Sequence, residues 1–185
     1  MFAIGKLTNV LQSVIPHWEG PKRTQVLRWK MASNALLTND QRLARHLNMD
    51  ATCLRCKGIY ENIDHIFRFC LTSKVVWYFL FPASKHKEFF HKDTNAWMLQ
   101  NIKGTNLVKG RSWCLIFGIS IDIIWQNRNQ SIFEGLISHP SDRVKHILAK
   151  VEVVHEILKQ SMKFNSPGRI VKHKGGVRWN SPPHG

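Results

Sequence analysis

The sequence predicts a mainly α-helical fold: a small helical domain built around a zinc-binding segment, followed by two longer helices and a disordered basic tail. Apolar residues recur at helical spacing in several stretches, and no stretch has the clear alternation of a half-buried strand. Cysteine and histidine are concentrated at metal-ligand spacing in one window. With 43% hydrophobic residues in a chain of 185, there are also enough apolar side chains for one domain with a real core.

The metal-type window contains Cys53, Cys56, His65 and Cys70. A Cys-x2-Cys turn lets two sulfurs converge on one ion, and the His-x4-Cys pair has the spacing that zinc fingers use for a second ligand pair. The alternative is that these are ordinary buried thiols and a core histidine. Three of the chain's four cysteines fall at ligand spacing, which favours one structural Zn²⁺. Four protein ligands leave no open position for water or substrate, so a catalytic zinc is not expected.

The ligand spacing also constrains the backbone. If residues 62–69 are helical, His65 and Cys70 lie five positions apart, about 140° around the helix. The helix must therefore end or loosen before Cys70. Asp64 is a candidate to orient the His65 ring through a hydrogen bond.

Three helices are predicted upstream of this window. Residues 7–17 are predicted to form an amphipathic helix, and a second helix opens at Pro21, which suits a first helical turn. A Thr-x-x-Gln capping box at Thr38 then opens a short helix that ends near Leu47.

Downstream, Thr72 or Ser73 can cap a helix that Pro82 stops, and we assign its aromatic face to the core rather than to base stacking. The remaining elements are a basic linker over residues 83–93, a short helix around Trp97, a long helix from Arg111 to about Phe133 and a last helix from about Ser141 to Met162. The predicted divisions are an N-terminal flanking segment (1–20), a zinc-binding domain (21–82), a helical extension (83–164) and a basic flexible tail (165–185).

The charge of the chain favours a partner that carries many phosphates. There are 27 Lys and Arg against 12 Asp and Glu, a formal net charge of +15. Cations that neutralise phosphates release condensed counterions, so RNA or DNA is the expected partner. The candidate phosphate contacts are the basic residues around the zinc window: Arg42, Arg45, Arg55, Lys57 and Arg68. A solvated basic face is the alternative for any one of them.

The sequence also predicts an intracellular protein, with the nucleus as the expected location. The N-terminus lacks an uninterrupted apolar run followed by a cleavage site. The most apolar stretch, Trp113–Trp125, is too short to cross a bilayer, which needs about 20 residues, so no membrane partner is expected. A metal-type cysteine pattern with the odd Cys114 left over is typical of a reducing compartment.

Several motifs resemble one known domain. They are Pro21-Lys22-Arg23, Trp29, Leu36-Leu37-Thr38-Asn39 with Arg42, the four zinc ligands, Trp77, Phe89-Phe90, Trp97, Asn101, Trp113, Phe117, Trp125-x2-Arg128-Asn129-x3-Phe133 and Arg178–Gly185. Together they resemble the reverse transcriptase zinc-binding domain of plant LINE-like (non-LTR) retrotransposon polyproteins. In that family, a Trp-x-Pro-Pro-x-x-Gly element like the one at the end of this chain introduces a ribonuclease H-like domain. The resemblance implies a polyprotein fragment that stops where that domain begins.

Three functional hypotheses follow. The first is a non-catalytic zinc-binding module that binds nucleic acid. The second is a spacer that packs against the polymerase and ribonuclease H domains of a parent polyprotein, which an exposed apolar patch around Trp77 or Trp125 would support. The third is that the chain would be described as a ribonuclease of RNA–DNA hybrids or an RNA-directed DNA polymerase only because the parent polyprotein has these activities. The acidic residues are scattered singly and form no two-metal motif, so catalysis by this chain is not expected.

Overall fold

The computed structural model describes residues 9–164 except residues 12, 16, 17, 59, 81, 105 and 137, and the chain is mainly helical, as predicted. The described elements are α1 (Lys22–Ala32), α2 (Asn39–Ala44), a π-helical turn (His65–Phe69), α3 (Leu71–Leu80), α4 (Ala83–His91), α5 (Thr94–Lys103), β1 (Leu107–Val108), β2 (Arg111–Ser112), α6 (Trp113–Phe133) and α7 (Pro140–Phe164). Residues 9–11 and 13–14 are also helical. The predicted tail, residues 165–185, lies outside the described residues. Within the described part, no helix is both long and apolar enough to cross a membrane.

The helices begin where the sequence places capping residues. Helix α1 starts directly after Pro21, and the Thr38 hydroxyl accepts a hydrogen bond from the Gln41 N–H at 3.1 Å. The Asp93 carboxylate caps α5 by accepting hydrogen bonds from the backbone N–H groups of Asn95 and Ala96. Helix α3 differs from the prediction, because it begins at Leu71 and Ser73 lies inside its first turn.

The predicted basic linker over residues 83–93 was wrong, because residues 83–91 form helix α4. The physical reason is one buried side chain. Phe89 is only 3% exposed, and its ring centroid lies 5.0 Å from that of Trp77. The segment is otherwise mostly polar, and this contact buries one face of it against the core. Packing of that face stabilises a short helix that the composition alone does not predict.

A small hairpin also lies where no strand was predicted. Leu107 pairs with Ser112 and Val108 with Arg111 in antiparallel register. Lys109 and Gly110, between the strands, have φ angles of 49° and 75°. Positive φ at both central residues is what a tight two-residue hairpin turn requires. Strands of two residues are too short to produce a detectable alternation in sequence.

Trp77 lies at the centre of the core and is fully buried. Its ring packs against the rings of Phe89, Trp97, Trp113 and Phe117, at centroid distances of 5.0–6.4 Å. These aromatic residues come from α4, α5 and α6, so one side chain of α3 joins four helices. Large rings bury the most apolar surface per residue, and their edge-to-face contacts add a further stabilisation.

A buried polar network joins the chain before the π-helical turn to helix α6. Arg128 and Glu61 form an ion pair at 2.5 Å, and their side chains are 2% and 0% exposed. Arg128 also donates to the Asn39 side-chain oxygen, and the Asn39 backbone N–H donates to Glu61. The Asn39 amide donates in turn to the Thr52 carbonyl at 2.8 Å. The network therefore fixes the start of α2 and the stretch of chain leading to Cys53 against the long helix.

Removal of one partner from this network should destabilise the fold strongly. Glu61→Gln leaves the Arg128 charge buried without its counter-ion, and such changes cost about 3–5 kcal/mol of the free energy of unfolding. Urea unfolding followed by tryptophan fluorescence measures this loss. The double variant Glu61→Gln, Arg128→Met should recover part of it.

The matched control is Glu156→Gln, which removes the partner of Lys159 in an exposed ion pair and should change stability little. Equal effects of Glu61→Gln and Glu156→Gln would contradict a structural role for the buried pair.

Candidate metal centre

The four predicted ligands converge in space. The sulfurs of three cysteines and one ring nitrogen of His65 all lie within 4.8 Å of one another: Cys53, Cys56, His65 and Cys70. Two of these residues are buried and two are partly buried. In the described part of the chain, no other group of three or more His, Cys, Asp or Glu side chains is arranged to hold a metal ion.

The first ligand pair lies on a tight turn. The Lys57 N–H donates to the Cys53 carbonyl at 2.8 Å, and the Cys53 N–H donates to the Gly58 carbonyl at 2.9 Å. Lys57 has φ +59°, the left-handed conformation that reverses the chain after Cys56. A Cβ atom at Gly58 would lie only 3.0 Å from the His65 ring and 3.2 Å from the Cys56 sulfur. Glycine at this position therefore lets the turn approach the imidazole closely.

The second ligand pair lies at the two ends of the π-helical turn. The Cys70 N–H donates to the His65 carbonyl at 2.6 Å, five residues back rather than the four of an α-helix. The wider turn brings positions five apart onto the same side, where an α-helix would separate them by about 140°. Cys70 then leaves the helical conformation, with φ −57° and ψ 130°. The prediction that the helix loosens before Cys70 is confirmed.

The wide turn frees two buried backbone carbonyls, and α3 supplies their hydrogen-bond donors. The Ser73 hydroxyl donates to the Ile66 carbonyl at 2.7 Å, and the Trp77 indole N–H donates to the Phe67 carbonyl at 2.5 Å. A buried carbonyl without a donor costs about 1–3 kcal/mol, so these contacts stabilise the turn. Neither role was predicted from the sequence. The five-residue spacing between His65 and Cys70 could have indicated these roles. A widened turn leaves backbone carbonyls without their helical donors, and nearby side chains must then donate to them.

Two of the distances between ligand atoms are close to those of a tetrahedral zinc ion. With Zn–S near 2.3 Å and Zn–N near 2.0–2.1 Å, a tetrahedron has S–S edges of about 3.8 Å and S–N edges of about 3.6 Å. The Cys53 and Cys70 sulfurs are 3.8 Å apart, and the Cys56 sulfur is 3.3 Å from His65 Nε2. The cluster could therefore hold one zinc ion through four protein ligands. Such a shell is closed, as in structural zinc sites.

The electrostatics around the sulfurs favour a thiolate at Cys70 and a neutral thiol at Cys53 when no metal is bound. A hydrogen bond with Cys53 lowers the pKa of the Cys70 thiol, and the His65 ring and the Arg55 charge act in the same direction. The same hydrogen bond, together with burial, raises the pKa of Cys53. Both groups bind zinc as thiolates, so metal binding must release the protons that they hold otherwise.

Two arginines lie near the ligand sulfurs. Arg55 donates weakly to the Ile66 carbonyl at 3.5 Å, and Arg143 donates to the Thr72 carbonyl at 3.4 Å. Burial lowers the pKa of Arg143, and the like charge of Arg55 lowers it further. Three thiolates and one Zn²⁺ carry a net charge of about −1, which these two cations offset.

The predicted roles of Asp64 and Arg68 are corrected by the structure. Arg68 is 1% exposed; it pairs with Asp64 and donates to the Lys92 carbonyl at 2.6 Å. A guanidinium held in this way braces the turn and is not accessible to a phosphate. Both oxygens of the Asp64 carboxylate are bonded, one to Arg68 and the other to Thr94 at 2.5 Å. Asp64 therefore links the turn to α5, and these contacts take the place of the predicted hydrogen bond to His65.

The other predicted phosphate contacts lie on or beside the ligand turn and α2. Arg45 and Lys57 are exposed, and Arg42 and Arg55 are partly buried. Arg55 differs from the other three because its Nε and Nη1 atoms are buried without a hydrogen-bond partner and its charge acts on the sulfurs. Whether any of them contacts nucleic acid stays a prediction.

A known protein family also links this part of the chain to zinc binding. Residues 6–77 match the family model described as zinc-binding in reverse transcriptase. The matched range contains all four ligands of the zinc site and ends at Trp77. The resemblance to the reverse transcriptase zinc-binding domain is therefore confirmed for this part of the chain.

A curated relative extends the likeness. A protein of Arabidopsis thaliana, provisionally named a ribonuclease H protein, is 29% identical over 127 residues, which cover 69% of this chain and 20% of the relative. The chain thus spans about a fifth of the length of this relative. No solved structure matches the chain.

Purified protein should contain about one zinc per chain, because the four ligands complete one closed tetrahedral shell. Cys70→Ser should lower the zinc content to a small fraction of this value. Ligation contributes directly to folding free energy, so chelation should also unfold the segment between residues 53 and 70. Elemental analysis and hydrogen exchange measure the two effects.

Cys114→Ser is the matched control, because this cysteine lies outside the cluster and its loss should leave the zinc content unchanged. Protein that has never met a chelator and yet contains no zinc would contradict the metal assignment.

Proposed function

We propose that this chain is a non-catalytic, zinc-stabilised module that binds nucleic acid. The observation that carries the proposal is the closed Cys3His cluster, which stabilises structure, in a segment that matches the reverse transcriptase zinc-binding family. The chain around it carries a formal charge of +15. A domain that combines a structural metal with a strong positive charge is suited to phosphate contacts.

The cations placed to make these contacts are Arg42, Arg45 and Lys57. Lys57 lies in the ligand turn itself, and its side chain is exposed. Arg42 and Arg45 lie at the end of α2, which the Asn39–Thr52 hydrogen bond ties to the chain just before Cys53. The metal and the buried polar network would thus hold one basic surface in a fixed shape. We define these three residues as the basic surface.

The proposal includes no hydrolysis by this chain. The two most buried carboxylates are committed to ion pairs: Glu61 to Arg128, and Asp122 to Arg23 and Lys150. A two-metal nuclease needs carboxylates that converge on ions about 4 Å apart. We also propose that the chain derives from a plant LINE-like retrotransposon polyprotein and acts in the nucleus, where such a partner is found.

A second candidate function, a spacer that packs against other domains, is favoured by one cavity. The predicted apolar patch is not at Trp77, which is fully buried, and Trp125 is partly buried. A groove of about 810 Å³ instead lies between the end of α7 and the hairpin. Its apolar lining includes Trp18, Leu107, Leu115, Leu158 and Met162. Exposed apolar grooves of this kind are typical of interaction sites.

The affinity for nucleic acid should fall steeply with salt. The slope of the logarithm of the binding constant against the logarithm of the salt concentration measures this dependence. Each phosphate that the protein neutralises contributes about −0.9 to the slope for a duplex and about −0.7 for a single strand. Changing Arg42, Arg45 and Lys57 to glutamate should lower the affinity and shallow the slope by about one for each phosphate that is no longer bound. Fluorescence anisotropy at several salt concentrations measures both quantities. Zinc content should stay unchanged.

The matched control changes Lys103, Lys159 and Lys163 to glutamate, which alters the net charge equally. Lys163 lies about 30 Å along α7 from Arg143, a residue of this helix that lies near Cys70. The control should retain more of the affinity and slope than the basic-surface variant. A third variant that ends at Phe164 tests the four basic side chains of residues 165–185.

Two results would decide against the proposal. If the wild type does not bind nucleic acid even at low salt, the spacer function takes its place. If the protein cleaves an RNA–DNA hybrid with magnesium, and the activity copurifies with the chain, the non-catalytic assignment is wrong.

A further inference from the structure

An exposed aromatic cluster lies beside the metal centre. Four rings form a continuous group on the outside of α3, α4 and the π-helical turn, which we define as the aromatic platform: Phe69, Tyr78, His86 and Phe90. The ring centroids of Tyr78 and His86 are 4.6 Å apart, and those of Tyr78 and Phe90 are 5.7 Å apart. Phe69 lies 6.3 Å from Phe90 at the other end of the group.

The platform is open to solvent although it is made of large rings. Tyr78 is 47% exposed and Phe69 is 43% exposed. Phe90 is partly buried, because its ring also packs against Phe89 of the core at 5.2 Å. The platform is thus anchored on the core through Phe90 and exposed to solvent at Tyr78 and Phe69. An exposed patch of large rings often marks a binding site, whereas single exposed apolar residues are common on protein surfaces.

The charges around the platform are mainly positive. The Lys74 ammonium lies 5.6 Å from the centre of the Phe90 ring, and Lys85 and Lys87 of α4 are exposed. The acidic residue of α4, Glu88, is held by Lys92 and by the Gln100 amide. A protein partner would pair these lysines with carboxylates, whereas a nucleic acid would pair them with phosphates and would also present flat bases to the rings.

One end of the platform, Phe69, is fixed beside the metal centre. Phe69 is the last residue of the π-helical turn and directly precedes Cys70. The Arg68 guanidinium lies between rings, 4.9 Å from Phe69 and 5.0 Å from the buried Trp97. Exposed rings with a rigid base lose little conformational entropy when another flat group stacks on them.

From this arrangement we propose that the aromatic platform binds unpaired bases by stacking, so that the module prefers single-stranded nucleic acid to duplex. The inference rests on the proposed nucleic-acid-binding function and names its substrate class. In a duplex the base faces are covered by neighbouring bases, and only a strand with unstacked bases can offer them to a ring. Lys74, Lys85 and Lys87 then neutralise the phosphates of that strand. Stacking is tolerant of sequence, because every base has a flat face.

The test compares a short labelled single strand with the same strand in a duplex, at one salt concentration. Tyr78→Ala should weaken single-strand binding by about tenfold, which is within the range expected for the removal of one base stack, and leave duplex binding unchanged. Tyr78→Phe should restore the affinity, because it keeps the ring. The side chain is half exposed, so neither change should unfold the protein.

The matched control is Phe79→Ala. Phe79 is the next residue on α3 and is 67% exposed, but its side chain projects about 100° away from Tyr78 around the helix. Its removal should change neither affinity. A strand containing 2-aminopurine adds a direct readout, because stacking on a ring changes the fluorescence of that base, and Tyr78→Ala should abolish the change.

Each outcome is decisive. If the wild type binds both nucleic acids and Tyr78→Ala affects neither, or affects both equally, the platform does not stack bases and only the phosphate-binding function stands. If the wild type binds neither, both proposals fail. Binding of a protein partner that Tyr78→Ala abolishes, without an effect on single strands, would also overturn the inference.

Discussion

The five-residue spacing between His65 and Cys70 is the constraint on which the metal centre depends. An α-helix cannot direct both side chains at one ion, and the chain meets the constraint with a wider turn whose backbone bond runs from Cys70 to His65. The widening leaves the Ile66 and Phe67 carbonyls without their usual donors. Ser73 and Trp77 satisfy them, and Trp77 is also the centre of the aromatic core. Metal ligation and core packing are therefore coupled through one indole side chain.

The buried Arg128–Glu61 pair positions the chain that leads to the first ligand pair. It brings helix α6 to the chain that leads into Cys53, and Asn39 extends the contact to the start of α2. Such pairs add little net stability compared with apolar packing, but a mispaired chain would leave a charge buried alone. The pair thus favours one arrangement of these segments over others. The ligand turn, which carries the exposed Lys57, is held in place by this arrangement.

The ligand set and the loosened turn could be predicted because both follow from local spacing and metal geometry. The burial of Arg68 could not, because it depends on the Lys92 carbonyl and Asp64, which only the folded chain brings to it. Helix α4 was missed for the same reason: its stability comes from Phe89 packing on a ring of another helix. Assigning the aromatic face of α3 to the core was correct for Trp77, which is buried with Val76 and Leu80, but wrong for Phe79, which is 67% exposed. The periodicity of apolar residues locates the buried face of a helix, but it does not show which residues at the edge of that face are exposed.

The central claim is that three thiolates and one imidazole hold a single structural zinc ion. X-ray absorption spectroscopy of the purified protein tests it most directly, because the scattering shells report ligand type, number and distance. The expected result is three sulfur atoms at about 2.3 Å and one nitrogen atom at about 2.0–2.1 Å, with no water in the shell. A shell with fewer than three sulfurs, or one that includes a water oxygen, would contradict the claim.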